Sequence, residues 1–221
     1  MRVLVVAPHP DDDVLGCGGV MARHAAQGHE VHVVVATRGI EEKYPLEEVD
    51  VVRCELAQAH QSLGVSSVRY LDFPAPCLDM VPRYKLADAV SMVFQDLQPS
   101  LVYLPHPGDI HADHGHLYHA TLVAARPIAN CPVRKLLCYE TLSETEWASP
   151  RQESAFIPTV FINIEPYLQK KLSAMAYYRS QLKDPPNPRS LQNIEALARL
   201  RGATVNLAAA EAFMLTREIA Y

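Results

Sequence analysis

The sequence predicts an α/β fold: a Rossmann-like, three-layer α/β/α arrangement around a mainly parallel sheet. Three observations carry this reading. Strand-like apolar runs alternate with segments of helical length along the chain. The first run, Val3-Leu4-Val5-Val6-Ala7, is continuously apolar, as a strand buried on both faces must be. Helical segments stop at Gly28 and Gly64 and ahead of Pro99, residues that end helices.

Element by element, strand 1 falls near residues 2–7. Gly16-Cys17-Gly18-Gly19 reads as a tight turn into a helix from Gly19 to about Gln27. Strand 2 is Val31–Thr37, followed by a helix near Leu46–Leu63. Strand 3 is Val68–Phe73, followed by a helix near Val81–Leu97. Strand 4, Leu101–Leu104, leads through a loop to His111 and a helix opening near Asp113, a good N-cap residue. Later strand signals are Leu136–Tyr139 and Val160–Ile164. Leu168, Leu172, Met175 and Ala176 recur at helical spacing within a predicted helix Tyr167–Leu182. Lys183 to Pro188 is a stiff exposed loop, and a last helix covers Leu191–Arg201. The chain reads as a single domain, 1–221, with a core of about 1–140 and a C-terminal extension of about 141–221.

With 221 residues and 49% apolar content, the chain can bury a sizeable core. A net charge of −5 without a basic stripe argues against a nucleic-acid partner. The five cysteines are odd in number and form no Cys-x-x-Cys, which fits a reducing, cytoplasmic setting. No signal-peptide pattern is present, and no apolar run reaches the roughly 18 residues of a membrane span.

The chemistry gathers at two strand ends. His9-Pro10-Asp11-Asp12-Asp13 follows strand 1, placing one imidazole and three carboxylates where a buried strand finishes. Such a group is costly without compensation, and a divalent cation supplies it. The second cluster runs from His106 to His119 after strand 4 and holds five of the ten histidines, His106, His111, His114, His116 and His119. In the sheet order 3-2-1-4-5, strands 1 and 4 are neighbours at the switch point, where ligands bind outside the carboxyl ends. The two clusters then share one pocket. Two histidines and one carboxylate suit catalytic zinc, and iron(II), cobalt or manganese also accept them.

His9-Pro10-Asp11-Asp12-Asp13-Val14-Leu15-Gly16-Cys17-Gly18-Gly19 resembles the signature of the LmbE-like (PIG-L) zinc-dependent N-acetylglucosaminyl deacetylases. Asp109-x-His111-x-Asp113-His114 resembles the second motif of that family. Tyr178-Arg179-Ser180-Gln181 and Arg201-Gly202 through Ala210-Glu211-Ala212-Phe213 extend the similarity along nearly the whole chain. The resemblance implies His9, Asp12 and His114 as ligands of one zinc, with iron(II) as the other cation to consider. It implies Asp11 as general base and His111 as the group that polarises or protonates the tetrahedral intermediate. Asp113 is implied to orient a histidine. The chemistry of amide hydrolysis agrees: zinc lowers the pKa of its water to about 7, a carboxylate takes the proton and a donor faces the oxyanion.

Two positions depart from the family pattern. Asp13 stands where Glu is usual, which shortens an arm expected to support the ligands. Arg53 lies two residues before Glu55, where three is commoner, in a helix expected to contribute to substrate binding. His116 and His119 read as solvated helix positions, His106 as either a pocket or a capping residue, and Cys17 as small packing. Ser143–Gln152, with Trp147, reads as a loop that forms either a lid or a connection.

The expected function is therefore hydrolysis of an N-acetyl group from a small amino-sugar conjugate, with no nucleic-acid or membrane partner and with homo-oligomerisation open. The same centre acting on another acyl amide or a thiol conjugate is the alternative. A nucleotide-binding module is a remote third, drawn from Gly16-x-Gly18-Gly19 and Arg38. It is opposed by three aspartates that would face a pyrophosphate.

Overall fold

β1 (Arg2–Ala7), β2 (Glu30–Gly39), β3 (Ser67–Ala75), β4 (Leu101–Pro105) and β5 (Lys135–Tyr139) pair in parallel in the computed structural model. The structure describes residues 1–128, 131–149 and 151–220. β6 (Val160–Asn163) and β7 (Ala210–Glu218) complete one seven-stranded sheet, β3-β2-β1-β4-β5-β7-β6. β7 runs antiparallel to both β5 and β6. The expected order of the first five strands holds. β7 was visible in the sequence only as a motif.

The layering follows from side-chain alternation along buried strands. Val3 and Val5 of β1 point into a core shared with α1 (Asp12–Ala26), α2 (Leu46–Leu63), α5 (Leu168–Met175) and α6 (Leu191–Ala203). Leu4 and Val6 point into the opposite core, covered by α3 (Arg83–Leu97) and α4 (Ala112–Ala124). Among the described residues no helix is long and apolar enough to cross a membrane.

Three local expectations need correction. The glycines are not a turn: α1 starts at Asp12 and contains them all. Their reason is close packing. A Cβ on Gly16 would lie 2.3 Å from the Tyr139 ring, and one on Gly19 2.7 Å from Ile164. Each glycine costs a helix about 1 kcal/mol relative to alanine, and here it admits a neighbouring element that alanine would push away. No glycine turn remains to cradle a phosphate, which removes the basis of the nucleotide reading. Second, α4 is capped by His111, whose side chain accepts from the Asp113 N–H, so Asp113 lies inside the first turn. Third, α5 stops at Met175 rather than near Leu182; turns carry the chain onward through Tyr178.

Candidate metal centre and active site

β1 ends at Ala7 and α1 begins at Asp12, so Pro8, His9, Pro10 and Asp11 form the whole connection. Two hydroxyls fix this link from behind. Tyr139 donates to the Val6 carbonyl at 2.8 Å, and Tyr178 donates to the Pro10 carbonyl. β4, paired beside β1, delivers His111 and His114 from the start of α4.

His9, Asp12 and His114 meet with their candidate donor atoms all within 4.8 Å of one another. The Asp12 Oδ2 lies 3.0 Å from His9 Nδ1 and 3.3 Å from His114 Nε2. Asp12 and His114 are fully buried, yet Asp12 Oδ1 and His114 Nε2 have no hydrogen-bond partner among the described residues. A buried orphan polar atom is costly, and one on each of two neighbouring residues, with the His9 imidazole beside them, fits a cation. Asp109 reinforces this. Its Oδ2 accepts from His114 Nδ1 at 2.7 Å, which holds Nε2 toward Asp12. The Asp109 Oδ1 accepts from Thr145 at 2.6 Å. A second grouping, His9, His111 and Asp113, shares His9. It fits less well, because Asp113 Oδ1 already accepts from the Leu78 N–H at 3.0 Å and His111 Nδ1 from the Asp113 N–H.

Electrostatics match the donor set. Burial opposes charge on His9, but Asp12 and Asp113 outweigh it and push its pKa up to about 9. Burial likewise opposes charge on His114, and Asp12 and Asp109 raise it to about 10. Burial alone would raise the Asp12 carboxyl; His114 and His9 hold it well below the usual range. The carboxylates thus favour positive charge on both rings, the charge that one divalent cation would bring. Burial and the neighbouring His9 lower the His111 pKa, favouring a neutral ring. With Nδ1 accepting, that ring carries its hydrogen on Nε2 as a donor. The His9 and His111 ring centroids are 4.5 Å apart.

Asp11 is buried beside the group, and burial raises its carboxyl pKa against the pull of Arg189. Arg189 Nη1 donates to Asp11 Oδ2 at 2.6 Å, its Nε donates to Ser143 Oγ at 2.6 Å, and Glu144 lies 3.6 Å from Nη2. Burial, with Asp12 next, raises the Glu144 pKa to about 7. The stretch read as a lid or connection is therefore anchored at its start. Ser143 is buried at φ 70°, and the Glu144 carbonyl accepts from the Ile110 N–H at 3.1 Å. Pro150, within that stretch, lies outside the described residues.

The remaining expected residues sort as follows. Asp13 makes a short buried pair with His60 on α2, so the shortened arm finds a partner on a neighbouring helix. Asp113 Oδ2 lies 3.3 Å from His9 Nε2, in position to orient that ring. Arg53 pairs with Asp72 and stacks 4.6 Å over the Tyr70 ring, without contact to the three candidate donors. His106 is buried with Nε2 2.9 Å from the Ser154 carbonyl. Sequence reasoning missed Arg189, Ser143, Glu144 and Thr145, and gave Asp109 no role. Only Asp109 carried a signal, its place in the second motif. The motif around Glu211 also gains a meaning: its carboxylate accepts from the Gly19 and Val20 N–H groups at 2.8 and 2.7 Å and pairs with buried Lys171 at 2.6 Å.

Comparison with known proteins gives the same direction. The family model described as PIG-L, GlcNAc-PI de-N-acetylase, matches residues 4–125. A protein of Escherichia coli (strain K12) described as the uncharacterized deacetylase YaiS is 31% identical over 80% of this chain and 90% of its own length. A probable N-acetyl-alpha-D-glucosaminyl L-malate deacetylase 2 of Bacillus cereus is 26% identical over 81% of this chain and 83% of its own. Among solved structures, N,N'-diacetylchitobiose deacetylase from Pyrococcus horikoshii superposes with a TM-score of 0.77 at 21% identity, covering 97% of this chain and 83% of that one. GalB, the 4-carboxy-2-hydroxymuconate hydratase from Pseudomonas putida KT2440, reaches 0.80 at 21% identity over 100% and 98%. A deacetylase and a hydratase on one fold show that the fold does not choose the chemistry; the site must.

Proposed function

Because the chain belongs to the PIG-L family, we propose that it is a metal-dependent hydrolase that removes an N-acetyl group from an N-acetylglucosamine-type amino-sugar conjugate. The observation that carries the metal is that Asp12 Oδ1 and His114 Nε2 are buried without a hydrogen-bond partner in residues whose donor atoms gather with one of His9. His9, Asp12 and His114 would hold one cation, zinc by the nature of the donors, with iron(II) the other candidate. When bound, that ion supplies Lewis-acid polarisation of the amide carbonyl and acidifies the attacking water.

This chain's own residues do the rest. Asp11 accepts the proton of the attacking water, and the Arg189 guanidinium fixes which carboxylate oxygen is free to do so. His111 Nε2–H donates to the carbonyl oxygen as negative charge develops there. The proton held by Asp11 then passes to the leaving sugar nitrogen, so acetate and a free amine result. Asp113 and Asp109 hold the His9 and His114 rings, and Asp13 with His60 braces the start of α1. Arg53, paired with Asp72, is assigned to binding the distal part of the conjugate.

The reading takes residues 1–221 as one deacetylase domain, since β7 and Glu211 of the C-terminal part are built into the same sheet and brace α1. Five free cysteines support a cytoplasmic setting. The test is acetate release from a panel of N-acetylated sugar conjugates by metal-loaded protein. Asp11→Asn should bind metal at wild-type stoichiometry and release acetate at least ~100-fold more slowly. Full activity in that variant would remove Asp11 from the chemistry.

A further inference from the structure

The opposite flank of α4 carries a second cleft, of about 420 Å3, between α3, α4 and the 3-10 turn at Leu78–Met80. That volume is within the ~300–1,000 Å3 range of small-molecule sites. Its floor is apolar, formed by Leu78, Val81, Leu86 and Ala120, with exposed Val123 at its edge. Its border is cationic or titratable: Arg83 at the start of α3, Arg126 just after α4, and His116 and His119 along α4. No Asp or Glu lines it. Carboxylates outnumber lysine plus arginine 25 to 20 in this chain, so the lining is opposite in sign to the whole.

Both guanidiniums are left over by the fold. Among the described residues neither Arg83 nor Arg126 has a carboxylate partner; Arg126 donates only to the Val123 carbonyl, at 3.1 Å. From His116 to the end of α4 at Ala124 the border spans about 12 Å at the helical rise per residue, with Arg126 beyond it, so the occupant is elongated. A small inorganic anion would leave the floor wet, and a neutral chain would leave the arginines unused. We propose that this cleft binds a straight-chain alkyl carboxylate, its chain on the apolar floor and its head on Arg83 or Arg126 in the two-pronged geometry that guanidinium offers. Neither arginine takes part in the proposed hydrolysis. The floor nevertheless adjoins the active site, because the Leu78 N–H is the donor to Asp113 Oδ1.

Calorimetric titration of decanoate into the full chain, zinc-loaded and chelator-treated, tests this. One saturable site is expected in both forms, with decanol at least about tenfold weaker, as loss of a charge-assisted contact requires. Arg83→Glu or Arg126→Glu should weaken decanoate at least about tenfold, and the double variant should abolish it, with melting temperatures unchanged. Equal binding of decanol, indifference to both reversals, or absence of saturation would overturn the assignment. Binding seen only with zinc would place the carboxylate on the metal and overturn it equally. So would a concentration-dependent dimer that Arg126→Glu dissociates and decanoate does not, which would give the cleft to a second copy of the chain.

Discussion

Replacing Asp109 separates the metal-centre reading from a purely structural one. Its two oxygens are both used, on His114 Nδ1 at 2.7 Å and Thr145 Oγ at 2.6 Å, and the residue is buried. Among the described residues no other contact fixes the His114 Nδ1, so Asp109→Ala frees the ring to turn and lets the neutral form carry its hydrogen on either nitrogen. Removal of such an outer partner costs about 10- to 100-fold in metal affinity, or roughly 1.4 to 2.8 kcal/mol. Asp109→Asn keeps the shape and one acceptor but not the charge, so it belongs at the lower end. Competition against a chromophoric zinc chelator measures both. A zinc affinity in Asp109→Ala equal to wild type would refute the proposal that His114 Nε2 is a ligand, whatever happened to activity.

Protons and metal should compete. The folded-state values of about 9 for His9 and about 10 for His114 lie above the ordinary 6.5. A raised value means that the native metal-free state binds protons more tightly than the unfolded chain. That contribution is complete below about pH 6.5 and is lost as pH rises through 9 to 10. Melting of chelator-treated protein should therefore fall from pH 6.5 to 9, zinc affinity should rise over the same interval, and calorimetry in different buffers should show about two protons released per zinc. Gly16→Ala should destabilise by about 1–3 kcal/mol, because its Cβ would meet a buried Tyr139 ring that its own hydroxyl bond pins in place. Thermal melting at wild-type metal content checks it. Arg189→Met should leave metal content intact and slow acetate release up to about 100-fold by releasing the base from its set position; an unchanged kcat would remove Arg189 from the machinery.

The sequence made the central sheet and the candidate donors of the first motif legible because both are local. Val3 to Ala7 announces a buried strand within five residues, and His9, Asp11 and Asp12 stand in one short motif. The pairing of that motif with His114 followed from strand order, which obeys simple rules. What stayed hidden was long-range. Arg189 reaches Asp11 across 178 positions of sequence, from a loop whose prolines advertised stiffness and nothing about its target. The glycines of α1 were read as a turn because local preference sees the missing Cβ and not the Tyr139 and Ile164 side chains that need the space. Asp113 and Asp109 are two carboxylates in one motif, and only coordinates show that Asp113 faces His9 while Asp109 faces His114.

The Glu211 contact has a consequence for the order in which the molecule becomes competent. Every candidate donor to the ion is specified by residue 114, about halfway along the 221-residue polypeptide. The carboxylate that grips α1 through Gly19 and Val20 arrives nearly a hundred residues later, on β7. During synthesis the emerging chain thus carries a full complement of metal-seeking groups well before it can hold them at working spacing. On the proposed metal reading, uptake of the ion would then mark completion of the fold, not its beginning.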